Sequence, residues 1–395
     1  MQLSLAPFKR ATGDASFATE MVKDCLTAAL DCGASDVHLQ PRRDCWEVSF
    51  RIDGVLHLAR TFDRHPETDP VTRLMALANM PTYRGGAPQE GALRWQHADG
   101  KTREMRLGIF PTVHGNRAAI RVMEHRQSFR QLEKLGLDTV TRSELEAVCH
   151  ARDGWLLVAG PAGSGKTTTL YACLSHIANA DTHRSVLTIE DPIESVIDSI
   201  SQSQVQHGGG LTLAAAMRAA VRQDAEVLLV SEIRDVETAE TVLMASMTGH
   251  LCFSSTHAGS IGATLHRLVQ MKLPTYAIRS GLRAVLCQRL LRRSCDQCDG
   301  VKTASERGPA NANACPGCHG TGYRGRLPVA QLVDFQSHRV GAELFDALDQ
   351  HRSADDLNRL LSESGNATLY DRAMELADAG LTDAEEVFRV MGRQS

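Results

Sequence analysis

The chain has 395 residues, 43% hydrophobic and 23% charged, the balance of an ordinary globular protein with length for two or three domains. A formal net charge of -4 and an aromatic content of only 5% speak against an electrostatic footprint or a stacking platform for nucleic acid. No apolar run reaches membrane-spanning length and MQLSLAPFKR lacks a signal-peptide core, so a cytoplasmic chain is expected, in which eleven cysteines do not pair as disulfides.

Residues 1–126 predict a small α+β domain. ATEMVKDCLTAALDCGASD has apolar residues at helical spacing and stops at Gly33. WEVSFRIDGVLHL reads as two strands, with Trp46, Val48 and Phe50 alternating up to the Asp53-Gly54 turn. EMRLGIF and RAAIRVM predict two more strands, joined through His114, Gly115 and Asn116. The polar QSFRQLEKLGLDT, residues 127–139, predicts a linker.

Residues 140–395 predict an α/β domain. WLLVAG is a buried-strand run, followed by a glycine-rich turn and the helical TTTLYACLSHIAN; SVLTIE, EVLLVSE and HLCFSST are further strand candidates with helical stretches between them. Strands alternating with helices argue for a parallel sheet covered on both faces. A Cys- and Gly-rich insert follows at 292–326, and the 341–395 region reads as amphipathic helix from Gly341 to Met391. Seven scattered cysteines (Cys25, Cys32, Cys45, Cys149, Cys173, Cys252, Cys287) read as small buried hydrophobes.

The strongest chemical signal is GPAGSGKT, formed by Gly160, Pro161, Ala162, Gly163, Ser164, Gly165, Lys166 and Thr167, with Thr168 next. It matches G-x-x-x-x-G-K-[ST], follows a predicted strand and opens a predicted helix, the context a phosphate-binding loop requires. Its backbone N–H groups and the helix N-terminus suit ATP phosphates; Lys166 suits the β- and γ-phosphates and the Thr167 hydroxyl a Mg²⁺ ion. Hydrolysis also needs acids at neighbouring strand ends. EVLLVSE ends at Glu232, and LTIEDPIE supplies Glu190, Asp191 and Glu194, with Pro192 ending regular structure there. GHLCFSSTH sets His250 before a strand and His257 after it, the latter a candidate for sensing the γ-phosphate.

CPGCHGTGYRGR, from Cys315, contains C-x-x-C-H and admits a c-type haem, a dithiol redox pair or a zinc site. The expected compartment disfavours haem. CDQC at 295–298 lies 16 residues before the second pair, a spacing that suits four thiolates on zinc, with a metal-free knuckle or a redox pair as alternatives. Cys295, Cys298, Cys315 and Cys318 would complete that site without His319.

In this order, GPAGSGKTTTLY, LTIEDPIE, RQDAEVLLVSEIRDVETAE and TGHLCFSSTH resemble the Walker A, Asp-box, Walker B and His-box segments of secretion ATPases. More closely, from about residue 20 to the end, the chain resembles the GspE/PilB family of type II secretion and type IV pilus assembly ATPases. GASDVHLQP and FRIDGVL resemble that family's second N-terminal domain, and LYDRAMELADAGLTDAEEVFRV its C-terminal helices. The resemblance implies a RecA-like P-loop domain behind a small α+β domain. It also implies a homo-hexamer that hydrolyses ATP to drive pilus or pseudopilus assembly, bound through platform and docking proteins to the inner membrane. It makes Glu232 the Walker B acid and Glu194 the residue that polarises water. It also brings small-domain arginines to the γ-phosphate, for which Arg94 in PQEGALRW and Arg106 in REMRLGIF are the nearest matches. The tetracysteine insert followed by GYRGR is typical of assembly rather than retraction ATPases. Ser231 stands where the family usually has Gly, Ala162 where it commonly has Thr, and PQEGALRW departs from its usual PQDGR. Almost nothing precedes the helix near residue 18, so docking to a membrane partner is expected to use another surface than the family's extra N-terminal domain. Two rivals are a nucleic-acid translocase on the same core and a non-catalytic nucleotide-binding scaffold.

Overall fold

Every second residue of β2 (Cys45–Ile52) is buried, Trp46, Val48, Phe50 and Ile52, so one face of the strand must be covered by other elements. The computed structural model, which describes residues 3, 16–65, 69–83, 86–123, 131–180, 183–205, 212–300, 315–337 and 339–393, shows what covers it. Residues 127–130 of the expected linker and 301–314 of the expected insert lie outside the described residues. The chain divides into two units, Met1–His125 with Arg292–Arg326, and Arg126–Leu291 with Leu327–Ser395.

The first unit carries a six-stranded antiparallel sheet in the order β3-β2-β1-β6-β5-β4. Its strands are β1 (Asp36–Pro41), β2, β3 (Val55–Asp63), β4 (Gln89–Gln96), β5 (Thr102–Thr112) and β6 (Gly115–Met123). Helices α1 (Phe17–Asp31) and α2 (Pro70–Leu77) supply Phe17, Met21, Leu26, Val71, Leu74 and Met75 to the same core as Val37, Leu39, Trp46 and Phe50. Asp53 and Gly54 both have positive φ, +48° and +85°, the backbone a two-residue hairpin needs.

The second unit is built on a seven-stranded sheet in the order β13-β12-β7-β11-β10-β8-β9. The strands are β7 (Gly154–Ala159), β8 (Val186–Glu190), β9 (Ser201–Gln204), β10 (Val227–Val230), β11 (Leu251–Thr256), β12 (Leu282–Ser294) and β13 (Tyr323–Asp334). From β12 through β9 each neighbouring pair runs parallel. β7, β10 and β11 are buried throughout. Their side chains divide between two cores: Trp155, Leu157, Leu228 and Cys252 face one, and Leu156, Val158, Leu229 and Phe253 the other. That two-sided burial is why these strands read as unbroken apolar runs. Each fully buried Leu or Phe contributes about 1.5–3 kcal/mol.

Helices α3 (Thr139–Cys149) and α4 (Lys166–Ala178) contribute to the second of these cores. α5 (Leu213–Ala220), α6 (Val236–Met247), α7 (Ile261–Gln270) and α8 (Thr275–Gly281) contribute to the first. The expected C-terminal helical region is four helices: α9 (Val340–Asp349), α10 (Ala354–Glu363), α11 (Leu369–Asp378) and α12 (Ala384–Met391). Capping boxes at Ser353/Asp356 and Thr368/Asp371 start α10 and α11, satisfying N–H groups that a helix start leaves open. Among the described residues, no helix is long and apolar enough to cross a membrane.

Candidate nucleotide and metal sites

The loop 160–165 leaves the C-terminal end of β7 and enters α4 at Lys166. Gly165 has φ +90°, and a Cβ there would meet Gln288 Nε2 at 2.6 Å, so only glycine fits. A Cβ at Gly160 would come within 2.5 Å of the Gln288 carbonyl oxygen. Gln288, buried on β12, is the buttress: its Nε2 donates to the Ser164 carbonyl at 2.8 Å and its Oε1 accepts from Thr169 Oγ1 at 2.8 Å. The Gly160 N–H donates to the Thr256 carbonyl at 3.1 Å, fixing the loop to β11 as well. The Lys166 ammonium lies inside the loop, donating to the carbonyls of Gly160 at 2.8 Å and Pro161 at 3.0 Å. Burial lowers its pKa, with Glu232 and Glu194 opposing that shift and Arg289 adding to it.

The expected acids stand at the same edge. Ser231 N–H donates to Ile189 O at 3.0 Å and Ser255 Oγ donates to Ser231 O at 2.7 Å, so β8 and β11 grip the residue before Glu232 from both sides. The Glu232 carboxylate meets His257 Nε2 at 3.0 Å and accepts from Arg234 Nε at 2.9 Å. Arg234 also lies 3.6 Å from Asp191, tying the two acid segments together. Thr167, Glu232 and Asp191 supply oxygen donors only, the chemistry that suits Mg²⁺. At the same edge, the buried hydroxyls of Ser164 and Thr256 have no hydrogen-bond partner, as polar atoms facing a bound anion and its metal would. These residues fit a Mg²⁺–nucleotide. His250, by contrast, is at the start of β11, where its Nδ1 lies 3.1 Å from the Ala245 carbonyl.

Three further expected site residues are engaged by protein partners. Glu190 is 1% exposed, its carboxylate accepting from Tyr171, Thr188 and Gln202. Arg94 on β4 and Arg106 on β5 belong to the first unit. Both are exposed and charge-paired on the sheet, Arg94 with Glu104 at 3.1 Å and Arg106 with Glu90. They line an open depression of about 530 Å³ together with those two glutamates. Residues 160–168 form the loop and first turn already described, and Glu194 is in the loop after β8, its N–H donating to the Tyr171 hydroxyl at 3.3 Å.

Sequence reading missed Gln288, Arg289 and Tyr171. Arg289 donates to the Gln288 carbonyl at 2.9 Å and to the Gly259 carbonyl at 2.7 Å. Gln288 carries no motif, because its partner in the loop is 124 residues away in sequence. Tyr171 was legible only as one more residue of a helix.

CDQC and CPGC do come together. The four sulfurs of Cys295, Cys298, Cys315 and Cys318 lie within 4.8 Å of one another. Cys295 and Cys315 are 3.9 Å apart, and Cys298 and Cys318 3.7 Å. Zn–S bonds of about 2.3 Å in a tetrahedron give sulfur–sulfur edges of about 3.8 Å, so the thiols already have the spacing zinc would need. Burial pushes the Cys298 thiol up to about 12, together with its bonds to neighbouring thiols. At Cys315 burial is outweighed by backbone N–H groups of Cys318 and Gly317 and by the other thiols, bringing it down to about 7. Cys295 N–H donates to Gly322 O at 2.9 Å, Arg292 lies 3.9 Å over the Tyr323 ring, and Gly325 N–H donates to Asp53 at 2.7 Å. The first two contacts hold the knuckle together and the third ties it to the β2–β3 hairpin, and its residues group with the first unit. Of the seven scattered cysteines, Cys32 and Cys45 are half-buried and the other five buried; all are free thiols.

A parallel sheet with a glycine loop at the end of β7 and acids at the ends of β10 and β8, with β11 between them, defines a P-loop nucleotide-binding protein of the RecA-like kind. The model of the family described as "Type II/IV secretion system protein" matches residues 11–389, and the chain belongs to that family. The type II secretion system protein HxcR of Pseudomonas aeruginosa is 33% identical over 381 residues, covering 96% of this chain and 78% of its own. The type IV pilus assembly ATPase TfpB of Acinetobacter baylyi is 32% identical, over 94% of this chain and 65% of its own. Among solved structures, the pilus retraction motor PilT with bound ADP is similar with a TM-score of 0.63 at 26% identity, over 94% of this chain and 95% of that one.

Proposed function

We propose that this chain is a Mg²⁺-dependent ATPase, active as a homo-hexamer, that drives assembly of a type IV pilus or a type II secretion pseudopilus. It would act at the cytoplasmic side of the inner membrane through platform and docking proteins. The observation that carries the reading is the convergence of Lys166, Glu232, His257 and Asp191 on one sheet edge. ATP is the substrate: the backbone of 160–168 cradles its phosphates and Lys166 pairs with the β- and γ-oxygens. Thr167, with Glu232 and Asp191, would hold Mg²⁺, which supplies charge neutralisation at the transferred phosphoryl group. Glu194 orients the attacking water for in-line displacement, and His257, bonded to Glu232, reads the γ-phosphate. Arg94 and Arg106, released from Glu104 and Glu90, stabilise transition-state charge in a neighbouring subunit. Zn²⁺ on Cys295, Cys298, Cys315 and Cys318 would be structural, since four thiolates leave no open position. The tetracysteine knuckle favours an assembly over a retraction motor.

The test is phosphate release from MgATP by the purified protein, with Glu232→Gln beside it. Turnover lost in the variant with nucleotide binding kept supports the reading. Binding without hydrolysis in the unaltered protein would leave a scaffold instead, and strong stimulation by single-stranded DNA would point to a translocase.

A further inference from the structure

Glu190 ends β8 with three side chains on its buried carboxylate. Tyr171 of α4 donates to Oε2, Thr188 Oγ1 donates to Oε1 at 2.6 Å, and Gln202 of β9 donates its amide to Oε1 at 3.0 Å. A buried carboxylate so enclosed cannot turn toward a ligand without leaving polar groups unpaired in the interior. It is an anchor rather than a ligand group, and what hangs from it is the loop carrying Glu194.

The Tyr171 oxygen makes a second bond, accepting the Glu194 N–H at 3.3 Å. Gln202 reaches the same loop twice more: its amide donates to the Ser195 carbonyl at 3.1 Å, and its Oε1 accepts from the Ile197 N–H at 2.6 Å. On the near side, Gln204 Oε1 accepts from the Ile193 N–H at 3.2 Å. The loop is in neither helix nor strand, so these side chains take the place of a ladder in satisfying its backbone. Burial and the bond to Glu190 raise the Tyr171 pKa, so its hydroxyl keeps the proton it donates. Tyr171 also shares α4 with Lys166, one turn and a half further along the helix.

We infer that Tyr171, Glu190 and Gln202 are positioning residues that set Glu194 relative to the helix carrying Lys166. Phosphate grip and water orientation are thereby tied into one rigid piece. The inference rests on the reading of Glu194 as the water-orienting carboxylate and adds what holds it in place.

Tyr171→Phe removes one oxygen and keeps the ring. In the full-length protein, kcat for MgATP is expected to fall about tenfold to a hundredfold, the range a small misplacement of a reacting group produces. Affinity for a fluorescent ATP analogue is expected to stay within about twofold, since no phosphate contact is removed. Gln202→Ala, which acts on the loop from the other side, should show the same split, and keeps the inference testable where Tyr171→Phe fails to fold. Added to Glu194→Gln, Tyr171→Phe should bring no further loss of the residual turnover, because a positioning residue acts only through the group it positions. Wild-type kcat in both single variants, or additive losses in the double variant, overturns the inference. Glu194→Gln at wild-type rate would remove the reading of Glu194 and the inference with it. An inactive Glu194→Gln beside an active Tyr171→Phe and Gln202→Ala would remove the inference alone.

Discussion

The edge around Lys166 and the knuckle around Cys295 both gather reactive side chains, and they do so by opposite means. At the edge, the Glu232 side chain is 17% exposed and that of His257 47%, and each is held by a pair of charges or polar groups on loops at strand ends. At the knuckle, Cys295 is 1% exposed and Cys318 4%, and the four thiols face one another. Partly exposed ion pairs contribute at most about 1 kcal/mol each, so an incoming phosphate can displace them. Thiols closed on one point leave room for an ion and nothing else. The contrast separates a site built for turnover from one built for permanence.

Lys166→Ala gives the largest expected effect on that comparison: a fall in ATP turnover of about a thousandfold, from loss of the charge on the transferred phosphate. It is measured by phosphate release, with thermal unfolding showing that the fold persists. Arg106→Ala should follow, lowering kcat about ten- to a hundredfold with little change in KM. Mixing it with Lys166→Ala subunits should restore part of the rate if the arginine serves a neighbour's nucleotide; no recovery would place it in its own subunit. Gln288→Ala leaves the Ser164 carbonyl and the Thr169 hydroxyl without their buried partner, so nucleotide affinity should drop about tenfold, read by titration of a fluorescent analogue. Smallest at the nucleotide edge, Cys295→Ser should remove most of a stoichiometry of about one zinc per chain, read by elemental analysis. It should also lower the unfolding midpoint by several degrees while reducing turnover less than the other three. Full zinc retention would break the four-thiolate site, and loss of nucleotide binding would break the separation between the two regions.

Much of the second unit was legible because burial on both faces writes itself as an apolar run. WLLVAG, SVLTIE, EVLLVSE and HLCFSST all became strands, and GPAGSGKT became the loop between β7 and α4. The Asp53-Gly54 turn was legible for the same local reason, since few residue pairs accept positive φ twice. β12 and β13 were not. LRAVLCQRLLRRS alternates poorly, and its buried residues meet partners far away in sequence. Glu190 shows the limit most clearly. As a letter beside Asp191 and Glu194 it reads as one more acid for the nucleotide, and only the packing shows its buried carboxylate bonded to Tyr171 and Gln202.

β9 has a consequence beyond the loop it braces. It is the last strand of its sheet among the described residues, only four residues long, and reads SQSQ with three of them exposed. An edge that short and polar offers a poor template for a foreign strand. The shortness of the strand that braces the Glu194 loop therefore also limits edge-to-edge pairing with another chain.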